Sequence, residues 1–174
     1  MKSQLIIPVI LLSILVSSKK LYAQYENVPQ FEIGLSGNYL INGYTKWGTG
    51  ISSKYLMPTR RNNFFTAGII YDLQIIPDPG YKTDYYHFLN GAFGYRKMIN
   101  SFFIEPQLGL GIYWDSGDQP GFGSFAGFEA GVHLNKFTFS LFPRLMIEDG
   151  FFMADGFLSL GLKCGIRLGK RQQF

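Results

Sequence analysis

From Phe31 onward hydrophobic and polar residues alternate with period two in eight separate stretches, and none carries the period of a helix. The last stretch is the clearest. Leu158, Leu160, Leu162, Cys164, Ile166 and Leu168 fall on one face, and Ser159, Gly161, Lys163, Gly165 and Arg167 on the other. The same pattern predicts strands at Phe31 to Ile41, Gly48 to Met57, Phe64 to Ile75, Tyr85 to Arg96, Phe102 to Tyr113, Ser124 to Asn135, Phe137 to Ile147 and Phe157 to Leu168. Each is close to the roughly 9 to 11 residues that a tilted strand needs to cross a bilayer. No Asp, Glu, Lys or Arg falls on the apolar parity of these stretches. The nine charges inside them, Glu32, Lys54, Asp72, Arg96, Glu105, Glu129, Arg144, Lys163 and Arg167, all take the other parity, as does His133.

Two architectures share this alternation: a soluble barrel with an apolar interior and a transmembrane barrel with an apolar exterior. Glycine separates them. Gly34, Gly50, Gly68, Gly94, Gly109, Gly111, Gly127, Gly131, Gly161 and Gly165 lie on the polar face, with Gly37 and Gly91 as exceptions. Glycine relieves crowding toward the axis of a narrow barrel, whereas on the solvated face of a soluble sheet it only weakens the strand. Aromatic residues near the strand ends, Tyr44, Trp47, Tyr71, Tyr85, Tyr95, Trp114 and Phe137, fit interfacial girdles. The predicted class is therefore all-β, an eight-stranded antiparallel up-and-down transmembrane β-barrel. The proline residues Pro106 and Pro143 fall inside strands, where a missing N–H predicts a bulge or local twist.

Composition is compatible with this class. The 174 residues are 47% hydrophobic, 17% aromatic and 16% charged, which excludes a disordered tail and a charge-rich helix bundle. A basic start at Lys2, an apolar run from Leu5 to Val16 and the small-residue site at Ala23 predict a signal peptide over residues 1–23. That run, interrupted by Pro8, is too short for a membrane-spanning helix. Residues 24–30 then form a short N-terminal segment, 31–168 the barrel, and 169–174 a tail or the end of the last strand. Loss of the signal removes Lys2, Lys19 and Lys20, lowers the formal charge from +4 to +1 and leaves no nucleic-acid footprint.

The connections differ in length and in sign. Those after the odd strands include 77–84, 115–123 and 148–156 and carry a net −5. Those after the even strands are short, as at 58–63, 97–101 and Lys136, and with the termini carry +5. Long loops outside and short turns in the periplasm is the outer-membrane pattern.

With these features the mature chain resembles the small eight-stranded outer-membrane barrels of Gram-negative envelopes, of the OmpX and OmpA-barrel kind, and especially the short outer-membrane β-barrel proteins of the Bacteroidetes. The local marks are Ala23-Gln24 at the cleavage site and the C-terminal aromatic Phe174, although Lys170 and Gln172 depart from the family's terminal alternation. The resemblance implies export to the outer membrane, a surround of outer-membrane lipid, and insertion by the barrel-assembly machinery. A surface or periplasmic protein partner is expected but carries no signature.

Little in the chain points to catalysis. Some barrels of this kind act on lipid A through a His with Ser or an acid at the outer rim. His87, with Asp84 and Tyr86, is the one candidate here, but Leu89 stands where the deacylase type has its Ser, and Asn135 follows His133 at the same spacing. Gly109-Leu110-Gly111 lies mid-strand with no following helix, so it is no phosphate loop. Asp115 to Asp118 lacks the spaced ligands of a calcium loop, and the single Cys164 has no internal partner. No catalytic, cofactor or metal residue is assigned. The ten inward polar residues, the nine charges and His133, are expected to form a structural network that plugs the lumen. Glu129 is expected near Arg144, and Glu32 near Arg167 or Lys163. The function expected is that of a non-enzymatic barrel whose acidic surface loops meet a partner or the envelope. A channel for small hydrophobic solutes and a lipid A-modifying enzyme are the alternatives.

Overall fold

The computed structural model describes residues 28–41, 46–59, 63–76, 83–114, 120–148 and 156–169. The predicted signal peptide, residues 170–174, Arg60 and Arg61, and the greater part of the acidic connections lie outside the described residues. Eight strands run in chain order: β1 (Gln30–Leu40), β2 (Lys46–Pro58), β3 (Phe64–Ile76), β4 (Asp84–Ile99), β5 (Phe102–Trp114), β6 (Gly121–Leu134), β7 (Phe137–Glu148) and β8 (Gly156–Leu168). Every sequential pair is antiparallel. β8 closes on β1 from Phe31 opposite Leu168 to Leu40 opposite Ser159, so the sheet has no edge.

The period-two alternation becomes a division between two environments. Outward side chains are apolar and open, with Leu35, Phe93, Leu108 and Leu162 each about two-thirds exposed (65–66%). All nine charges identified in the sequence point inward and are at most 4% exposed. Fully burying one large apolar side chain is worth roughly 1.5–3 kcal/mol. A belt of such side chains around the whole barrel therefore requires an apolar solvent, the polarity of a transmembrane barrel.

Glycine makes the interior possible. A Cβ at Gly109 would run into the Phe125 ring and one at Gly161 into the Phe142 ring, so each glycine vacates the space that a large neighbour fills. Gly37 and Gly91 face outward, and Gly37 has open space where its Cβ would be.

Three details differ from the pattern in the sequence. β4 continues to Ile99, three residues past Arg96, which shortens the β4–β5 turn to Asn100-Ser101 and places Lys97 in the strand with outward parity. The β6–β7 turn is likewise only Asn135-Lys136. Asn100 (φ 59°) and Asn135 (φ 58°) take the left-handed conformation that lets two-residue turns follow strand twist. The third difference is a correction at the prolines. The register on either side of Pro106 and of Pro143 is unchanged, so no residue is inserted and neither makes a bulge. Each instead interrupts pairing on one side, between Gly94–Gln107 and Lys97–Ile104 in one case and between Gly127–Arg144 and Ala130–Leu141 in the other. Pairing with the strand on the opposite side continues.

Candidate functional site

The inward parity of six strands delivers three carboxylates and three cations to one level of the lumen, toward the short-turn end. Glu32 comes from β1, Lys54 from β2, Arg96 from β4, Glu105 from β5, Glu129 from β6 and Lys163 from β8. They form a closed ring of ion pairs. Arg96 joins Glu32 (2.8 Å) to Glu105 (2.6 Å), Lys54 joins Glu105 (3.0 Å) to Glu129 (2.6 Å), and Lys163 joins Glu129 (2.6 Å) back to Glu32 (2.8 Å). Every member has two partners of opposite sign and the ring is formally neutral. A buried ion withdrawn from water costs several kcal/mol unless it is both paired and hydrogen-bonded, and this ring meets both conditions.

Neutral side chains take up the remaining acceptor sites. Thr66 and Gln107 donate to Glu105 (2.8 Å each), Gln107 and Ser140 to Glu129 (2.8 and 2.7 Å), and Thr138 to Glu32 (3.2 Å). Glu105 and Glu129 stand opposite each other in the β5–β6 register, a repulsive arrangement on a bare sheet. Lys54 and Gln107 both bridge them here. His133 stacks on Phe103 (4.6 Å, 16°), and the Arg96 guanidinium lies over the same ring at 4.1 Å. A guanidinium only donates, so His133 accepts from Arg96 at Nε2 (3.4 Å) and donates from Nδ1 to Thr138 (3.0 Å).

A second polar group lies nearer the long-loop end. Arg144 pairs with Asp72 (3.0 Å), its guanidinium 4.2 Å from the Phe142 ring and 5.2 Å from that of Phe125. Asn38 donates to Asp72 and Gln74 to Asn38. Ile70, Phe88, Ala92, Phe125 and Met146 pack as an apolar cluster in the lumen, with Tyr86 and Tyr113 against it. Arg167 donates to Gln30 (3.4 Å) and to the Asn135 backbone carbonyl (2.9 Å). A groove of about 580 Å³ lies over β6, β7, β8 and β1 among outward residues such as Leu35, Gly37, Leu141 and Leu162, outside the lumen.

One expected pair needs correction and the other is met. Glu129 does not pair with Arg144, because Gly127 is the residue opposite Arg144, and Arg144 turns to Asp72 instead. Glu32 stands opposite Arg167 in register but pairs with Lys163, the other expected partner, and with Arg96. Sequence reasoning also passed over Thr66, Gln107, Thr138, Ser140, Asn38 and Gln74. Their inward parity was the available signal.

At the long-loop rim His87 is half-buried on the outward face. Its Nδ1 meets the Tyr71 hydroxyl at 2.8 Å and its ring stacks on Trp114 (5.1 Å, 4°). Among the described residues no Ser and no carboxylate bonds to it.

No protein-family model matches the chain, and no curated protein sequence matches it. Solved structures do. The outer membrane enzyme PagL matches with a TM-score of 0.57 at 13% identity, over 78% of this chain and 98% of that one. Neisserial surface protein A (NspA) matches with a TM-score of 0.54 at 12% identity, over 80% of this chain and 96% of that one. At such identities the likeness is one of fold: this chain is a closed, antiparallel eight-stranded β-barrel similar to those two proteins.

Proposed function

We propose that this chain is an integral outer-membrane protein without enzymatic activity, its lumen closed to solutes and its role carried by its two ends. The ring of six charges from Glu32 to Lys163 carries the reading. It links six strands across the barrel, is neutral, and leaves its members 0–3% exposed. Eight strands enclose only enough room for side chains. The apolar exterior and the likeness to PagL and NspA support the membrane setting, and the signal-like N-terminus supports export. In this setting the short turns face the periplasm, and the long acidic connections face outward to meet a partner or the envelope.

The test is electrical. Purified barrel in planar bilayers should give no steady open-channel steps, and a stable ohmic pore would favour the solute-channel reading instead. A second reading, modification of lipid A, draws on the enzyme among the structural neighbours and on the His87–Tyr71 contact at the rim. It requires a mass change in lipid A on expression that Tyr71→Phe and His87→Ala abolish. The proposed reading expects lipid A of unaltered mass.

A further inference from the structure

Lys97 stands apart from every other charge in the barrel wall. It is exposed on the outward parity of β4, the one such charged side chain in a strand among the described residues. Beside it on the β3 side is Asn63, which accepts from the Met98 N–H (3.1 Å), and opposite it on β5 is Ile104; the rest of that face is apolar or aromatic. Tyr95 packs edge-on against Phe65 (5.2 Å, 62°) to one side, and to the other Ile99 lies opposite Phe102, both exposed. Among the described residues no carboxylate lies within ion-pair distance of Lys97.

A cation at the rim of an apolar band attracts a counter-charge, and among the described residues the protein wall supplies none. Phe65, Tyr95, Ile99 and Phe102 around it offer hydrocarbon contact that a soluble anion cannot use. A lipid satisfies both demands, bringing an anion and hydrocarbon together. Depth agrees, because two residues beyond Tyr95 on a tilted strand is about 5 Å along the barrel axis, just past the aromatic girdle. Lys136, exposed in the β6–β7 turn at the same end, adds a second positive charge to the rim.

We propose that Lys97, with Tyr95, Phe65, Ile99 and Phe102, is a docking strip for an anionic phospholipid of the leaflet at the short-turn end. The headgroup phosphate meets the ammonium and an acyl chain covers the aromatic pair. This inference rests on the membrane-spanning reading above.

The experiment uses the mature chain refolded in detergent and native mass spectrometry with phosphatidylglycerol or phosphatidylcholine of identical chains. The wild type should retain phosphatidylglycerol about fivefold better, the gain for one basic residue beside an anionic headgroup. Lys97→Gln should abolish the preference and Lys97→Arg should keep it. Equal retention of the two lipids by the wild type would overturn the proposal, as would a preference that survives Lys97→Gln. Displacement of phosphatidylglycerol by inorganic phosphate or by an acidic peptide would overturn it in favour of a soluble anion. Insertion into pure phosphatidylcholine vesicles, read from gel mobility before and after boiling, tests the spanning reading alone. Failure there removes both readings, while insertion without lipid preference removes only this one.

Discussion

Removing Arg96 should open the ring at its most demanding point. The side chain is fully buried and is the sole link in the ring between Glu32 and Glu105, at 2.8 and 2.6 Å. In Arg96→Met each acid keeps one cation, Lys163 for Glu32 and Lys54 for Glu105, but the ring carries a net −1 in a closed lumen. Loss of one member of a buried ion pair costs about 3–5 kcal/mol, mostly because the partner stays buried and under-compensated. A second change, Glu105→Gln, should recover part of that cost. It restores neutrality to a chain of Glu32, Lys163, Glu129 and Lys54, with an expected coupling of about 1–3 kcal/mol. Urea unfolding in lipid vesicles, followed by Trp47 and Trp114 fluorescence and by gel mobility, measures both. A cost below about 1 kcal/mol for Arg96→Met would mean that water reaches the ring and solvates the exposed acids. A double variant as unstable as the sum of its singles would show that charge balance is not what holds the ring.

Other perturbations separate the two faces. Leu162→Arg, on an outward side chain 65% exposed at mid-strand, should cost roughly 2–4 kcal/mol in vesicle unfolding assays, whereas Lys97→Gln near the rim should change stability by less than about 1 kcal/mol. Gly111→Ala should destabilise by about 1–3 kcal/mol, because its Cβ would meet the Leu89 carbonyl and Asn90 Cα, backbone atoms that cannot swing aside. Gly37→Ala enters open space and should be close to neutral in the same assay. An epitope tag at Asp118 or Asp155 should bind antibody on intact cells, and one between Arg60 and Asn62 only after permeabilisation; the reverse would invert the orientation.

Strand number, order and parity were legible because each inward or outward choice is repeated along a stretch, as in Leu158 to Leu168. A single exception such as Gly37 cannot hide that repetition. The end of β4 was not legible for a local reason. Arg96-Lys97 looks like the start of a polar turn, yet Arg96 points into the ring while Lys97 sits on the outer wall near the rim, where a cation costs little. The prolines misled differently. A lost N–H was expected to give a bulge or a local twist; at Pro106 and Pro143 there is no inserted residue, and the wall tolerates a local gap in pairing on one side while the other side stays in register. The ion pairs were the least legible element. Register sets Glu32 opposite Lys54 on β2 and Arg167 on β8, yet it pairs with neither, bonding Arg96 and Lys163 instead. Glu32–Lys163 and Arg96–Glu105 join neighbouring strands, the first as expected, but Arg96–Glu32, Lys54–Glu105, Lys54–Glu129 and Lys163–Glu129 join strands that are not neighbours, a choice that strand register does not carry.

That choice bears on where function resides. The ring is neutral by itself, and so is the Asp72–Arg144 pair, so each polar layer is charge-balanced separately and neither needs a mobile ion to balance it. The apolar cluster of Ile70, Phe88 and Phe125 fills another part of the lumen, and the remaining base, Arg167, is engaged by Gln30 and the Asn135 carbonyl. A conduction path would have to break charge-assisted contacts and displace packed rings in succession, with no fixed net charge in either layer to draw an ion through. The asymmetry that the interior lacks is found at the two ends, where the long connections carry a net −5 and the short-turn end +5. On the proposed reading, a barrel that carries only the +1 of Arg167 inside and opposite charges at its ends holds those ends at fixed positions on either side of a membrane, and interactions at the rims, Lys97 among them, are where its activity should be sought.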